Sequence, residues 1–230
     1  MKKKYIIILS LFVLSSNVNS QNLILNPGIE NNTFETGCFV NQPATTITTK
    51  LDNVTAFYGG TQDGIEVGVN SSCYAGGANS GTTHIVMAGL SGPNMFESSS
   101  FNLLSPIVSG ATYSFTFYAA NSNAINSESL SVGVSTTSTS FGTQAVVVPL
   151  STNSSYTQYS ASFTAPISGN YLTIEPEALD EFWFGLDDFF LELTTLSTTK
   201  VELTTNTIKV YPNPASDFIS LSGLIKTEDY

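Results

Sequence analysis

Apolar and polar residues alternate along this chain in short runs separated by turn-forming residues. Residues 112–119, TYSFTFYA, show the pattern most clearly: Tyr113, Phe115 and Phe117 fall on one face of an extended strand, Ser114 and Thr116 on the other. Similar runs occupy 45–51, 54–58, 65–69, 84–88, 130–135, 144–148, 156–163, 171–174 and 182–193, with Gly59-Gly60, Asn70-Ser71 and Gly89 among the breaks. No window of twelve or more residues carries a helical period. About ten short strands with Gly, Pro and Asn turns predict an all-β fold, a β-sandwich of jelly-roll type. A Thr-rich stretch, 195–207, lacks Gly and Pro and reads as a linker. After it, Pro212 and Pro214 fix φ and force the chain to turn before a last alternating run.

The N-terminus predicts export. Lys2, Lys3 and Lys4 precede a nine-residue apolar run, 6–14, about half of the ~20 residues a membrane span requires. Val18 and Ser20 suit signal-peptidase cleavage, so the mature chain is expected to begin at Gln21 with no membrane span. The sandwich then covers 21–194 and the tail 208–230.

Charge narrows the partners. Three of the seven basic residues leave with the signal while all eighteen acids stay, so the net charge falls from −11 to about −14. There is no Arg, and Lys50 is the only Lys between Gln21 and Thr199. Nucleic-acid binding, which needs a basic face against phosphates, is excluded, and an anionic membrane surface is disfavoured. Neutral or cationic partners remain, Ca²⁺ among them. Cys38 and Cys73, the only cysteines, read as a disulfide in an exported chain, with two separate buried thiols as the alternative.

Two resemblances follow from particular strings. Residues 210–223, VYPNPASDFISLSG, resemble the opening of the type A C-terminal sorting domain of the type IX secretion system, carried by Tyr211, Pro212, Asn213, Pro214 and Asp217. That resemblance implies delivery through the periplasm to the medium or outer surface of a Bacteroidota cell by the type IX machinery. The chain ends at Tyr230, about a third of the way into such a domain, so the tail is expected to be incomplete. Residues 22–37 (NLILNPGIENNTFETG), 99–119 (SSFNLLSPIVSGATYSFTFYA) and 184–193 (FGLDDFFLEL) resemble the opening, middle and closing strands of jelly-roll domains related to carbohydrate-binding modules. This implies a structural Ca²⁺ held by Glu30 and Asp187, with Asp188 as the alternative to Asp187. An all-oxygen donor set suits Ca²⁺. On a regular strand Asp187 and Asp188 would point to opposite faces.

For a ligand, the expectation is an extracellular glycan or another surface partner. Trp183, the only Trp, alternates with Phe182 and Phe184 and is a candidate sugar platform, with Glu177 and Asp180 at its rim. A surface adhesin or structural cell-coat protein is the alternative. A small glycoside hydrolase is third: Glu175 and Glu177 could share a strand face about 7 Å apart, though Pro176 between them argues for an edge or turn. His84, the only His, lies in a strand-like segment with no G-x-S-x-G motif anywhere, so catalysis is not expected.

Overall fold

A computed structural model describes residues 21–58, 65–73, 76–89, 97–121, 128–151, 153–177 and 182–195, together with the backbone of 209–211 and 220–222. The chain divides into two compact units, Met1–Leu196 and Ser197–Tyr230. In the first, the elements in order are β1 (Gly37–Phe39), α1 (Ala44–Lys50), β2 (Val54–Tyr58), β3 (Glu66–Val69), β4 (Thr83–Gly89), β5 (Glu97–Ile107), β6 (Thr112–Asn121), β7 (Glu128–Ser135), β8 (Thr143–Leu150), β9 (Thr157–Thr164), β10 (Gly169–Glu177) and β11 (Phe182–Thr195). The second holds an antiparallel pair, β12 (Lys209–Tyr211) and β13 (Ser220–Ser222). The signal segment, most of the linker, and Pro212, Asn213, Pro214 and Asp217 lie outside the described residues. Tyr211 is described only as backbone in β12.

The eleven strands of the first unit form two antiparallel sheets, ordered β1-β3-β4-β11-β6-β9 and β2-β5-β10-β7-β8. Their inward faces meet in one core. Tyr113, Phe115 and Phe117 of β6 are all buried, as their period-two spacing requires, and face Phe101, Leu172, Ile174 and Val132 of the other sheet. Phe189 joins the layers, its ring 4.6 Å from Phe101 and 6.3 Å from Phe115. The expected all-β sandwich is therefore the observed architecture.

The opening segment binds the two sheets together. Leu23 donates its N–H to Leu191 of β11 (2.8 Å) and accepts from Leu104 of β5 (2.7 Å), and Ile24 bridges Leu103. The Asn22 side chain donates to the Phe189 carbonyl and accepts from Leu191 N–H. A disulfide joins Cys38 to Cys73, with Cα atoms 5.2 Å apart. Closing a loop of separation 35 contributes about 4 kcal/mol on the chain-entropy account.

Two local expectations need correction. Residues 45–51 do not form a strand: Ala44–Lys50 is helix α1 with only Ile47 buried. Ala44, Ile47 and Leu51 stand at helical spacing, but the run is too short to outweigh the alternation of Thr with Ile and Lys. Pro43, at the N-cap with φ −53°, starts the helix, and Ile47 then anchors it in the core. Pro176 lies inside β10, which is interior to its sheet, rather than at an edge or turn. The β5 register ends at Ile174 opposite Ser99, whereas β7 continues alongside to Glu177, so Pro176 stands where pairing has become one-sided.

Candidate functional site

Two regions carry chemistry, the first where the opening segment meets β11. Asn26, buried, donates to the carbonyls of Asn31 and Asp52 and accepts from Asn31 N–H, pinning residues 26–31 into a tight turn. Ile29 within it adopts φ 60° and is buried, which leaves Glu30 projecting from the turn. The Glu30 carboxylate accepts from Thr82 N–H and Thr83 N–H, both at 2.8 Å, and from the Thr82 hydroxyl at 2.7 Å. Gly81, with φ +62°, passes so close to this carboxylate that a Cβ there would lie 2.4 Å from Oε1.

Asp187 and Asp188 reach the same loop from β11. Asp187 is fully buried and accepts from the backbone N–H of Asn79 (2.8 Å), Ser80 (3.2 Å) and Asp188 (2.7 Å). Asp188 accepts from the Asn79 side-chain amide and the Ser80 hydroxyl, both at 2.7 Å. The two acids do not point to opposite faces. Asp188 has φ 50°, and the β11–β6 register slips between Asp187 and Phe190, so a bulge turns both carboxylates toward 79–80. Burial first, then the charge of Asp188, push the Asp187 carboxyl up to about 7 against the pull of its three N–H donors. The Tyr156 hydroxyl is buried without a hydrogen-bond partner; burial, then the charges of Asp187 and Asp188, raise its pKa. No motif in the sequence marks Tyr156 as their neighbour.

The loop 79–83 therefore gathers Glu30, Asp187 and Asp188, the three residues expected to serve a metal. All are oxygen donors of the kind Ca²⁺ takes, and among the described residues no cationic side chain is hydrogen-bonded to them. Among the described residues no group of three or more His, Cys, Asp and Glu is already drawn together at metal-binding spacing.

The second region is the outward face of the five-stranded sheet. Alternation places Phe57 of β2, Ser98 of β5, Glu175 of β10 and Ser131 of β7 in one outward row, with Glu177 and Ser129 in the next. Ser98 donates to Glu175 Oε2 at 2.7 Å and Ser131 donates to Glu177 Oε1 at 2.6 Å. Each carboxylate is thus held by a serine from a neighbouring strand. Burial, and secondarily the Glu177 charge, raise the Glu175 pKa, with the Ser98 hydrogen bond opposing. The segment between β7 and β8 folds over the adjoining rows: Ser100 donates to the Ser138 carbonyl and Thr173 to the Phe141 carbonyl. Gly133 makes this possible, since a Cβ there would lie 2.5 Å from Thr173 Oγ1 and 2.6 Å from the Phe141 carbonyl oxygen.

The sequence-predicted ligand residues are not all together. Glu177 is on β10, whereas Trp183 is on β11 of the other sheet, half-buried against Cys73 and Val86. Asp180 lies outside the described residues. His84 is fully buried, and neither ring nitrogen has a hydrogen-bond partner. The residues that sequence reasoning left out are Ser98, Ser131 and Phe57; period two alone places them outward, and strand pairing is needed to set them beside Glu175.

No protein-family profile matches the chain, and no curated protein matches it. Among solved structures it is similar to TmCBM61, a carbohydrate-binding module in complex with beta-1,4-galactotriose, at 16% identity over 76% of this chain and 99% of that one, with a TM-score of 0.43. The K2 cleaved adhesin domain of Lys-gingipain is similar at 18% identity over 73% and 96% of the two chains, TM-score 0.47. The K1 cleaved adhesin domain of Lys-gingipain from Porphyromonas gingivalis W83 is similar at 15% identity over 63% and 92%, TM-score 0.44. These likenesses are of strand layout and assign no ligand.

Proposed function

We propose that the chain is a non-catalytic glycan-binding module, exported to the medium or cell surface, with a structural Ca²⁺ beside loop 79–83. The observation that carries the binding reading is the outward row on the five-stranded sheet, where Ser98 and Ser131 orient Glu175 and Glu177. Sugar hydroxyls are good donors to a fixed carboxylate, and a charged acceptor strengthens such bonds. Pre-orientation by serine reduces the ordering cost on binding. Phe57 in the same row offers an apolar surface for the C–H face of a ring. Export through the type IX system rests on the 210–223 string and the N-terminal segment.

The residues that would hold Ca²⁺ are Glu30, Asp187 and Asp188. The ion would supply positive charge against a buried carboxylate that has none nearby.

Affinity electrophoresis of the purified chain in gels containing neutral polysaccharides tests the binding reading. Retardation is expected, and Glu177→Ala is expected to weaken it by roughly tenfold through loss of a charged hydrogen bond. A chain that migrates unretarded in every neutral polysaccharide, or a Glu177→Ala variant retarded as strongly as the parent, would show the reading to be wrong. Trp183→Ala is expected to leave retardation unchanged, because Trp183 belongs to the other sheet.

A further inference from the structure

Beside the carboxylate row lies a groove of different chemistry. β2 is an edge strand of the five-stranded sheet, and α1 packs along it. Thr48 of α1 accepts the Ala56 N–H through Oγ1 at 3.0 Å and approaches the Ala56 carbonyl at 3.5 Å, and Thr49 donates to the Thr46 carbonyl at 2.9 Å. The Thr48 hydroxyl is thus turned into the protein, and that of Thr49 is taken up by its own helix. The groove between α1, β2 and Thr139 has a volume of about 450 Å³ and is walled by Ala44, Thr45, Thr49, Thr55, Phe57 and Thr139. That size falls within the range of small-ligand sites, about 300–1,000 Å³. Among the described residues no charged one lines it.

Phe57 belongs both to this groove and to the outward row that contains Ser98 and Glu175. Two strand spacings separate Phe57 from Glu175, roughly 10 Å, a distance that an oligosaccharide spans. The site thus has a carboxylate half and a mostly apolar half, in which alanine and threonine methyls and one aromatic ring outweigh the threonine hydroxyls. Bare sugar hydroxyls set against methyls would give up water without finding partners, whereas a small apolar substituent fits that wall. Charge restricts the ligand further. Lys50, the only Lys of the sandwich, lies 5.0 Å from the centroid of the Phe34 ring. A uronate would therefore meet Glu175 and Glu177 with no cation set beside them to compensate.

We infer that the groove between α1 and β2 is an apolar subsite for a substituted sugar, and that the ligand is an uncharged polysaccharide carrying small acyl groups such as acetyl. This rests on the glycan-binding reading of the adjoining carboxylate row.

The test is calorimetric titration of the full chain with xylan and glucomannan, each in its acetylated form and after mild alkaline deacetylation, with polygalacturonate as the anionic control. The acetylated forms are expected to bind roughly tenfold tighter, the scale of one well-placed apolar group. Thr139→Asp, which places a charge at the groove wall outside the carboxylate row, is checked for an unchanged melting temperature and is expected to abolish that difference while leaving affinity for the deacetylated chain in place. Should Thr139→Asp melt early, Thr45→Asp on the α1 wall takes its role with the same expected result. Equal affinity for acetylated and deacetylated chains would overturn the subsite and leave the glycan-binding reading standing. No binding of any neutral polysaccharide would overturn both, and preferential binding of polygalacturonate would overturn the argument from charge.

Discussion

His84 sits in a space made by a missing side chain. Gly68 pairs with both Cys38 and His84 across the β1-β3-β4 strands, and a Cβ on Gly68 would lie 2.2 Å from the His84 ring and 2.9 Å from the Cys73 Cβ. The imidazole is thereby enclosed beside the disulfide, with neither nitrogen hydrogen-bonded. Burial holds its pKa below 6.5, and the nearby Cys73 backbone opposes the shift only in part. A histidine whose folded pKa is lowered binds fewer protons folded than unfolded, so its contribution is intact above pH 6.5 and is lost as pH falls toward the folded pKa. Between pH 7 and pH 5 this residue is expected to lower stability, with a slope of at most about 1.4 kcal/mol per pH unit, the limit for one proton, while the raised carboxyls of Asp187 and Glu175 act in the opposite direction. His84→Leu is expected to flatten that component of the profile. Parallel profiles for parent and variant would show that His84 does not titrate on unfolding. The same enclosure keeps the His84 ring from solvent.

At the scale of elements, α1 closes an edge that would otherwise be open. Its Thr48 hydroxyl takes the Ala56 N–H of β2, so a side chain substitutes for a neighbouring strand. Thr48→Val keeps the shape and removes the hydroxyl, and is expected to destabilise the sandwich by about 1–2 kcal/mol in urea unfolding, with Thr48→Ser close to the parent. Equal stability of Thr48→Val and the parent would mean that water replaces the hydroxyl at no loss. This contact was not legible in the sequence: ATTITTK has only Ala44 and Ile47 as apolar residues, and helix or strand is decided there by Pro43 and by the burial of Ile47. The β6 strand was legible, because three aromatics at period two permit no other face to be buried. Glu30 and Asp187 were legible as a pair through the strings around them. The bulge at Asp188 was not, since nothing in LDDFF marks a left-handed Asp, and it is the bulge that brings Asp188 to Asn79 and Ser80. Glu175 and Glu177 were visible on one strand, but the serines that hold them come from β5 and β7, 46 or more residues away in sequence.

Over the whole molecule, negative charge is in excess, at −11 for the full sequence. Such a chain is destabilised by self-repulsion, so any salt is expected to raise its melting temperature by screening. Calcium bound beside loop 79–83 would act differently: it would saturate at a defined stoichiometry and depend on particular oxygens. With 150 mM NaCl present throughout, adding 2 mM CaCl₂ to chelator-treated protein is expected to raise the melting temperature by several degrees, about 2–4 °C per kcal/mol of binding for a domain of this size. MgCl₂ at the same concentration is expected to have little effect, because Mg²⁺ demands a tighter octahedron and keeps its water. Asp187→Asn retains an oxygen acceptor for the Asn79 and Ser80 N–H groups and removes the charge. It is therefore expected to stay folded and to lose the calcium response, whereas a surface variant such as Glu35→Gln keeps it. If Asp187→Asn responds to calcium as the parent does, or if Mg²⁺ matches Ca²⁺ in both, the gain is general screening and the three acids around loop 79–83 hold no ion.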